Sequence, residues 1–549
     1  RAIVPNRVGE AAFFLLSTLP LTRLPDVVRG RHGCLERKFF GCRDRVFGAR
    51  ERGRGGTIVS PVERRRDRLS DRAWAALIED DTIPEHSGAW RDDGVEESAD
   101  AFASSLYSAA LRDPGRFARL GATVRRVAHG VYLDRLWLTV SGARPGSEVP
   151  EAQRPAWRPA DACDLERLYW RHDHLRRDGC DRGLCSAVAE RPAAGWSDAV
   201  IEKLIELCTA SLCPRPDDWS LVARVGEVTV QNVETTAINR VRSLAVFALT
   251  AVLDEFPDRL DAMESALTSA ARDPHPSVRA AMLSALAVVW PLRESLAIEL
   301  FATLAADPED QIWATSYGRR LLPFVHSRYV ARVHPLLDRM VASPIAEARR
   351  FGAERVAAEW VWHGGREESY RLVANSEDPQ HRTGVVRVLE SDAAAARPSA
   401  SVGDLIDYFD DQDAEVRRRA GGVFRRWNRE NHATMSRLAE PFLRSQAFRE
   451  DPSRLLFCLG HAPVDLTDIA PTAFAVVRAA HDLMASGVAV PTSQLHVNDD
   501  LSRLLLRIYE AVVETRDQAL ETACLDAWDQ YVQTGLPCAQ HDLELLSRG

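Results

Sequence analysis

Lysine is nearly absent from this chain of 549 residues. Of its 70 basic residues only Lys38 and Lys203 are lysine, and the other 68 are arginine. A P-loop nucleotide site needs a lysine in a Gly-Lys-Ser/Thr motif to reach the phosphates. Lys38 stands in Glu-Arg-Lys-Phe and Lys203 in Ile-Glu-Lys-Leu. The sequence therefore contains no recognisable Walker site, and its arginine bias indicates a GC-rich, bacterial genome.

Long apolar runs are also missing. Residues 11–21 are apolar but too short to span a bilayer, which takes about 20 residues. We find no signal peptide, and the 10 cysteines lack the spacing of a secreted disulfide framework. These features predict a bacterial cytoplasmic protein with reduced thiols and no membrane partner. Because the chain begins at Arg1 rather than Met, we expect a fragment of a longer protein or a processed one.

Catalytic signatures are a third absence. The sequence has no His-Glu-x-x-His, no Gly-x-Ser-x-Gly and no set of kinase motifs. The acidic pairs Asp410-Asp411 and Asp499-Asp500 stand at predicted helix starts, where carboxylates most simply cap free N–H groups. We therefore predict that the chain is not an enzyme and has no cofactor. An enzyme with a site dispersed around residues 161–213 is the third-ranked alternative.

Residues 161–213 hold the one cluster whose spacing offers metal ligands. Four residues separate Cys180 from Cys185, and one separates His172 from His174, which fits zinc spacings only loosely. Free cysteines packed between helices are the favoured interpretation. The prediction is therefore no metal, with these four residues as the weak candidates.

A turn followed by a helix is the most informative feature that is present. Asp273-Pro-His-Pro-Ser-Val-Arg279 combines two helix-breaking prolines with Asp273 and Ser277, which can accept hydrogen bonds from the first N–H groups of a helix. From Val278 onward apolar residues recur at helical spacing. One face of this helix is therefore predicted to be buried.

The same pattern recurs along the chain. The matching segments are residues 236–242, 273–279, 307–313, 343–349, 376–382 and 411–417. Their anchor positions are 241, 278, 312, 348, 381 and 416, which gives steps of 37, 34, 36, 33 and 35 residues. Such a period is typical of helical-repeat arrays with one helix pair per unit. Since one pair cannot bury its apolar face alone, we predict that the pairs stack into an α-solenoid.

The pattern resembles HEAT repeats, whose second helix opens with Asp-Pro, a short spacer and Val-Arg. The residues that carry it are Asp273, Pro274, Val278, Arg279, Asp307, Pro308, Asp411, Val416 and Arg417. Ile312-Trp313 and His381 depart from it, and the turn at 411 has no proline, so the array is degenerate. The resemblance covers residues 236–430 and implies an all-α fold of the HEAT-like α-solenoid class.

Four regions are predicted along the chain. They are residues 1–60, a basic linker or tail of an upstream element; 61–230, an N-terminal helical region; 231–430, the HEAT-like repeats; and 431–549, a C-terminal helical cap. In the cap, Asp499 and Asp500 are predicted to lie at the N-terminus of a helix running from Leu501 to Val513.

Arginines are concentrated on the predicted second helices. Those considered as a binding surface are Arg319, Arg320, Arg349, Arg350, Arg382, Arg418 and Arg425. One interpretation is an intramolecular ladder, in which the first arginine of each turn pairs with a neighbouring Asp or Glu. The other is a basic groove for an acidic protein or a nucleic-acid backbone. The net charge of −9 and the acidic residues around 410–415 argue against general nucleic-acid binding.

Further segments carry a second resemblance. They are Leu35-Glu-Arg-Lys-Phe39, Val59-Ser-Pro61, Arg112-Asp-Pro-Gly-Arg-Phe-Ala-Arg-Leu120, Asn239-Arg-Val-Arg-Ser-Leu-Ala245 and Asp500-Leu-Ser-Arg-Leu-Leu-Leu-Arg-Ile-Tyr509. They are similar to the C-terminal part of large bacterial ATP-binding proteins of the STAND type, some of which act in defence against phage. The resemblance implies an NTPase module upstream in the same polypeptide, with the helical part as its ligand sensor.

The primary prediction is a non-catalytic helical-repeat scaffold for protein–protein recognition, the sensor region of a larger bacterial NTPase switch protein. The alternative is a free-standing HEAT-like adaptor that binds nucleic acid or an acidic partner through its arginine-rich helices. The sequence leaves the ligand, the oligomeric state and the curvature of the solenoid open.

Overall fold

All regular secondary structure that the computed structural model describes is helical. The described residues are 60, 62, 66–85, 98–175, 177–220, 228–395, 397–461, 463–486 and 494–533. They form 25 α-helices with short 3-10 helices between them, and no strand occurs among them. The predicted all-α class is confirmed. The basic linker predicted for residues 1–60 lies outside the described residues, apart from Ser60.

The described residues divide into two compact units. One comprises those up to 140 together with 144–160, and the other comprises 141–143 with those from 161 onward. The division therefore falls inside the region predicted as 61–230. The helices of the first unit are α1 (Asp71–Glu79), α2 (Ala99–Ala110), α3 (Pro114–Thr123) and α4 (Gly130–Val140).

In the first unit α4 packs against both α2 and α3, and an aromatic pair joins α1 to α3. Trp74 is buried and meets the ring of Phe117 edge-on, with centroids 5.9 Å apart. The helix that carries Trp74 begins after Ser70, whose hydroxyl accepts a hydrogen bond from the N–H of Ala73. A capped start therefore fixes which face of α1 turns inward.

The second unit contains the remaining helices. In chain order they are α5 (Ala162–His172), α6 (Asp178–Glu190), α7 (Asp198–Ala210), α8 (Val230–Ala237), α9 (Val241–Glu255), α10 (Leu260–Ala271), α11 (Pro276–Leu292), α12 (Glu294–Ala305), α13 (Gln311–Ala314), α14 (Ser316–His326), α15 (Val330–Val341), α16 (Ala346–His363), α17 (Glu367–Ala374), α18 (Pro379–Ala393), α19 (Ala414–Ala420), α20 (His432–Arg444), α21 (Gln446–Glu450), α22 (Ser453–His461), α23 (Leu466–Ala485), α24 (Gln494–Thr515) and α25 (Gln518–Gln533). Every predicted anchor position lies within the first three residues of a helix.

The helices of the second unit are arranged as pairs. A first helix packs against the second helix that follows it, as α10 does against α11, α15 against α16 and α17 against α18. The second helices also pack against one another, α9 against α11, α11 against α14, α16 against α18 and α18 against α19. In α11 the predicted inward residues Val278, Met282 and Leu286 are fully buried. The burial extends well beyond the single face that the pattern predicts, since all residues from 276 to 283 are buried.

Gly384 lets two neighbouring second helices touch through their backbones. A Cβ atom at this position of α18 would lie 2.2 Å from the carbonyl oxygen of Arg350 and 2.9 Å from the nitrogen of Glu354, both in α16. No side chain fits within such distances, so the approach of α18 to α16 requires glycine.

The turn before α9 lies elsewhere than the repeat pattern predicts. The Arg242 guanidinium donates to the carbonyl of Ser211 at 2.7 Å, and the Arg242 N–H donates to the carbonyl of Cys213. The first helix of this pair is α7, which packs against α9 and ends one residue before Ser211. The repeat turn predicted within 236–242 is therefore wrong. The turn lies at 211–213, and the described residues 214–220 and 228–240 belong to an insertion between this turn and the second helix.

The insertion lies against other second helices. Its helix α8 packs on α11 and α13, and Val230 shares a buried apolar cluster with Ala314 and Ala348. The carboxylate of Glu234 accepts a hydrogen bond from the N–H of Ser316. The insertion therefore covers part of the surface formed by α11, α13, α14 and α16.

The helix start predicted in the C-terminal region is wrong. The helix α24 begins at Gln494, so Asp499 and Asp500 lie inside it rather than at its N-terminus.

Within the described residues no single helix is both long and apolar enough to cross a membrane. The bent pair α8 and α9 passes the same test of length and composition when its two helices are taken together.

Replacing Gly384 by alanine is expected to destabilise the second unit by about 1–3 kcal/mol, because the added methyl group forces α18 away from α16. The matched control is Gly460→Ala in α22, where a Cβ meets nothing within 4 Å. Alanine there is expected to be neutral or stabilising by up to about 1 kcal/mol, from helix propensity. Urea denaturation gives the free energy of unfolding of both variants. Equal values would contradict the close approach of α18 to α16.

Candidate interaction surface

The turns between paired helices share one local hydrogen bond. The side chain at the first position of the turn accepts from the backbone N–H two residues later. The bonds run from His275 to Asp273, from Glu309 to Asp307, from Asp413 to Asp411, from Cys213 to Ser211, from Ile345 to Ser343 and from Asp378 to Ser376. Serine therefore does in three turns what aspartate does in the other three.

Arg382 links its own turn to the next one. Its Nε and Nη2 donate to the two carboxylate oxygens of Asp411 at 2.7 and 3.0 Å, and its Nη1 donates to the carbonyl of Ser376 at 2.6 Å. The side chains of Arg382 and Asp411 are each 7% exposed. A planar guanidinium can make all three bonds at once, which an ammonium group cannot.

The same link recurs between successive turns. We call the set the turn ladder, and its rungs are Arg242–Asp273, Arg279–Asp307, Arg349–Asp378, Arg382–Asp411 and Arg417–Glu450. In each rung the arginine also donates to a turn carbonyl, that of Ser211, Asp273, Ser343, Ser376 or Asp411 respectively. Of the arginines considered as a binding surface, Arg349 and Arg382 therefore belong to an intramolecular ladder.

One rung is missing, because Trp313 stands where the pattern has arginine. Trp313 is fully buried and meets Phe301 edge-on at 5.5 Å. Arg339, which comes from the first helix of the next pair, donates to Asp310 at 2.7 Å and to the carbonyl of Ala305 at 2.6 Å. Aromatic packing and an arginine from the other side therefore replace the rung at this junction.

His275 caps the helix α11, where the sequence predicted Asp273 and Ser277 as the acceptors. Its Nδ1 accepts from the N–H of Ser277 at 3.2 Å, and the ring is fully buried against Trp219. Burial lowers the pKa of His275 to about 4, outweighing Asp273, which raises it. The histidine is therefore neutral at physiological pH, and neutral Nδ1 has the lone pair that capping needs.

Arg319 is the centre of a group of arginines on the second helices. It lies 2.9 Å from Glu354, and its guanidinium stacks over the ring of Phe351 at 5.0 Å. Burial lowers the pKa of Arg319 against the effect of Glu354, and nearby arginines lower it further. These arginines, with Arg319 itself, define the arginine cluster: Arg319, Arg350, Arg387 and Arg419. It spans α14, α16, α18 and α19.

Two glutamates lie within the arginine cluster. Glu354 contacts Arg387 at 3.5 Å as well as Arg319, and Glu390 pairs with Arg419 at 2.9 Å. Burial raises the pKa of Glu390. Four guanidinium groups thus share two carboxylates, which leaves an excess of positive charge.

The predicted surface arginines differ in their surroundings. Arg418 is exposed and pairs with Glu415 of its own helix. Within the described part of the chain, none of Arg320, Arg350 and Arg425 has an acidic partner within 4.0 Å. Two of the seven candidates therefore belong to the turn ladder, two pair with other acids, and three keep an unpaired charge.

Within the described residues the predicted metal candidates do not bring three ligand atoms together. Cys180 and Cys185 are buried in α6, and burial raises the pKa of the Cys185 thiol, which disfavours the thiolate that a metal binds. His172 is buried and His174 exposed. Among the described residues the ligand atoms that do converge are those of His326, His334 and Glu359. Their spacing along the sequence matches no zinc motif, so sequence reasoning missed them.

Neither the protein-family models nor the curated proteins contain a match to this chain. Its function is inferred below from the turn ladder, the arginine cluster and the placement of the insertion.

Arg382→Met is expected to destabilise the second unit by about 3–5 kcal/mol, because Asp411 is left buried without its counter-charge. Arg418→Met is the matched control and should cost less than about 1 kcal/mol, since its ion pair is exposed. Urea denaturation gives both values. Adding Asp411→Asn to Arg382→Met should recover part of the loss, and strict additivity of the two substitutions would contradict a buried rung.

The free energy of unfolding is expected to fall between about pH 6.5 and about pH 4 through His275. In this window the unfolded chain binds a proton that the native state excludes, so acid favours unfolding, by up to about 3 kcal/mol. Above the window this group has no effect. Asparagine is a strong cap without a titrating ring, so His275→Asn should flatten this part of the pH profile. Parallel profiles for the two proteins, from urea midpoints, would show that His275 is not the titrating group.

Proposed function

We propose that this chain is a non-catalytic recognition scaffold, a HEAT-like α-solenoid of stacked helix pairs that binds a protein ligand. The turn ladder is the observation that carries the proposal. Because each rung ties one turn to the next, it fixes the position of a helix pair relative to its neighbour. Arrays of this kind present an extended surface made of many second helices.

The arginine cluster is the proposed contact surface for the ligand. Arg350 has no acidic partner within the described residues, and Arg387 is exposed, so both guanidinium groups are available to a carboxylate on another protein. Arginine suits such contacts because it is weakly hydrated and binds carboxylates with two hydrogen bonds. The ligand is therefore proposed to present an acidic patch.

The insertion limits where this ligand can bind. Ser316 and Ala348, which α8 contacts, lie within three residues of Arg319 and Arg350. The surface on the α8 side is thus already covered by the chain itself. The ligand is expected to approach from the side of α18 and α19.

The placement of this scaffold in a larger cytoplasmic bacterial switch protein is supported by the resemblance to STAND proteins alone. On that proposal an NTPase module lies upstream in the same polypeptide, and the helix pairs sense its ligand. The gene upstream of the codon for Arg1 should then encode, in frame, a Gly-Lys-Ser/Thr motif.

A nucleic-acid-binding adaptor is the second candidate. The unpaired charges of Arg320, Arg350 and Arg425 favour it, since phosphate contacts need free guanidinium groups. Glu354 and Glu390 disfavour it, because they place negative charge where a phosphate backbone would lie. A protein ligand is therefore the better-supported choice.

The double variant Arg350→Glu/Arg387→Glu should lose the ligand while remaining folded. Both residues lie on second helices in the arginine cluster. The matched control is Arg332→Glu/Arg437→Glu, which changes the net charge equally at exposed positions on the first helices α15 and α20. The measurement is quantitative crosslinking and co-purification from the cells of origin, with circular dichroism as the folding check.

A partner retained by the control and lost, at least about tenfold, by the cluster variant would support the proposal, since one charge-assisted pair is worth about 1.5–3 kcal/mol. A partner lost equally by both variants, or by neither, would overturn it. Binding of wild-type protein to a DNA or RNA duplex that weakens steeply with salt would instead favour the second candidate.

A further inference from the structure

Three polar side chains converge at the ends of α14 and α16 that lie away from the turns. His326 is the last residue of α14, His334 lies in α15 and Glu359 in α16. The Nε2 of His334 is 2.9 Å from Glu359 Oε1, and the Nε2 of His326 is 3.2 Å from Glu359 Oε2. One ligand atom from each residue lies within 4.8 Å of the other two.

Two of these atoms lack a hydrogen bond although they are close together. His326 Nε2 and Glu359 Oε2 are buried, and neither has a hydrogen-bond partner in the structure. The His326 side chain is 7% exposed and is directed at the carboxylate. Buried polar atoms nearly always make hydrogen bonds, so two that face each other at 3.2 Å without making one are both available to a further group.

We propose that His326, His334 and Glu359 bind a divalent transition-metal ion of the zinc class. Two imidazoles and one carboxylate are a ligand set that zinc uses, with water in the fourth position. Zinc bonds of about 2.0–2.1 Å in tetrahedral geometry put neighbouring ligand atoms about 3.3 Å apart. In this structure each imidazole nitrogen lies near this distance from a different oxygen of the Glu359 carboxylate, at 2.9 and 3.2 Å, and the three ligand atoms lie within 4.8 Å of one another.

The backbone beside Glu359 leaves space around its carboxylate. Gly365 lies against the carboxylate, and a Cβ there would come within 3.0 Å of Glu359 Oε1. The glycine therefore leaves the carboxylate room to orient towards an ion.

Two arginines restrict which cations can bind. Arg355 and Arg366 act on His326 as positive charges, and the Nη2 of Arg366 is held by Asp338 and Ser369. They oppose any cation, and Glu359 is the only carboxylate among the three proposed ligands. Calcium and magnesium, which need several oxygen ligands, are therefore disfavoured, whereas zinc, nickel or cobalt gain from bonds to imidazole.

The site connects two successive helix pairs. His326 belongs to the pair that ends with α14, and His334 and Glu359 belong to the next pair, α15 and α16. This is the junction at which Trp313 interrupts the turn ladder. A bound ion would tie the two pairs together at the ends of the second helices opposite the missing rung.

The test is zinc binding by the full chain after removal of metals with a chelator. Equilibrium dialysis with elemental analysis should give one bound zinc that depends on the site, and zinc should raise the melting temperature. His334→Ala removes the partly exposed ligand with least risk to folding, and should weaken binding by more than about 100-fold, since even outer-shell changes cost about 10–100-fold. It should also abolish the zinc-dependent melting shift.

The matched control is His363→Ala, which removes an exposed histidine from the same helix as Glu359 and should bind zinc like the wild type. Because the chain has 10 cysteines, cobalt is the second probe. Its spectrum should lack thiolate charge-transfer bands and should lose intensity in His334→Ala. Equal zinc binding by wild type and His334→Ala, or no binding by the wild type, would overturn the proposal.

Discussion

The structure of the second unit depends on a guanidinium group buried between two turns. In the rung Arg382–Asp411 both side chains are 7% exposed, so each charge has lost most of its water. Burial of an ion pair adds little stability by itself, because desolvation offsets the attraction. Its effect is on specificity, since any displacement of one turn relative to the next leaves a buried charge unpaired. This requirement sets the register at the buried rungs, which also include Arg242–Asp273 and Arg279–Asp307. It is weaker at Arg349–Asp378 and Arg417–Glu450, whose side chains are more exposed.

The sequence predicts this arrangement well where the pattern is local. Each anchor position falls at a helix start because prolines, turn acceptors and the 3.6-residue spacing all lie within a few residues of one another. The failures have non-local causes. The turn at Ser211 was missed because Ser211 lies 31 residues before Arg242, and only the hydrogen bond across the insertion identifies it. His275 was missed because histidine is not among the residues favoured at helix N-termini.

The roles of the arginines were the least predictable feature, since composition does not distinguish a rung from a free charge. Arg349 and Arg350 are adjacent in sequence, yet the first pairs with Asp378 and the second has no acidic partner among the described residues. The partner lies 29 residues away, almost one repeat, so its relevance depends on how the pairs stack. A sequence search for acids one repeat after each arginine would not separate the two, since Asp378 stands 29 residues after Arg349 and 28 after Arg350. The glutamates of the arginine cluster follow no single rule, because Glu354 stands 35 residues after Arg319 whereas Glu390 precedes Arg419.

The junction at Trp313 departs from the pattern and is reinforced from several sides. Arg339 supplies a guanidinium from the following pair, and Val230 of the insertion shares one buried apolar cluster with Ala314 and Ala348, which lie on the two sides of the junction. The His326, His334 and Glu359 group crosses the same junction at its other end. An array whose register depends on rungs cannot lose one without replacement, because the two pairs would then be held by apolar packing, which has no direction. The proposed metal site, the insertion and Arg339 are therefore best understood as three separate replacements for the missing arginine at position 313.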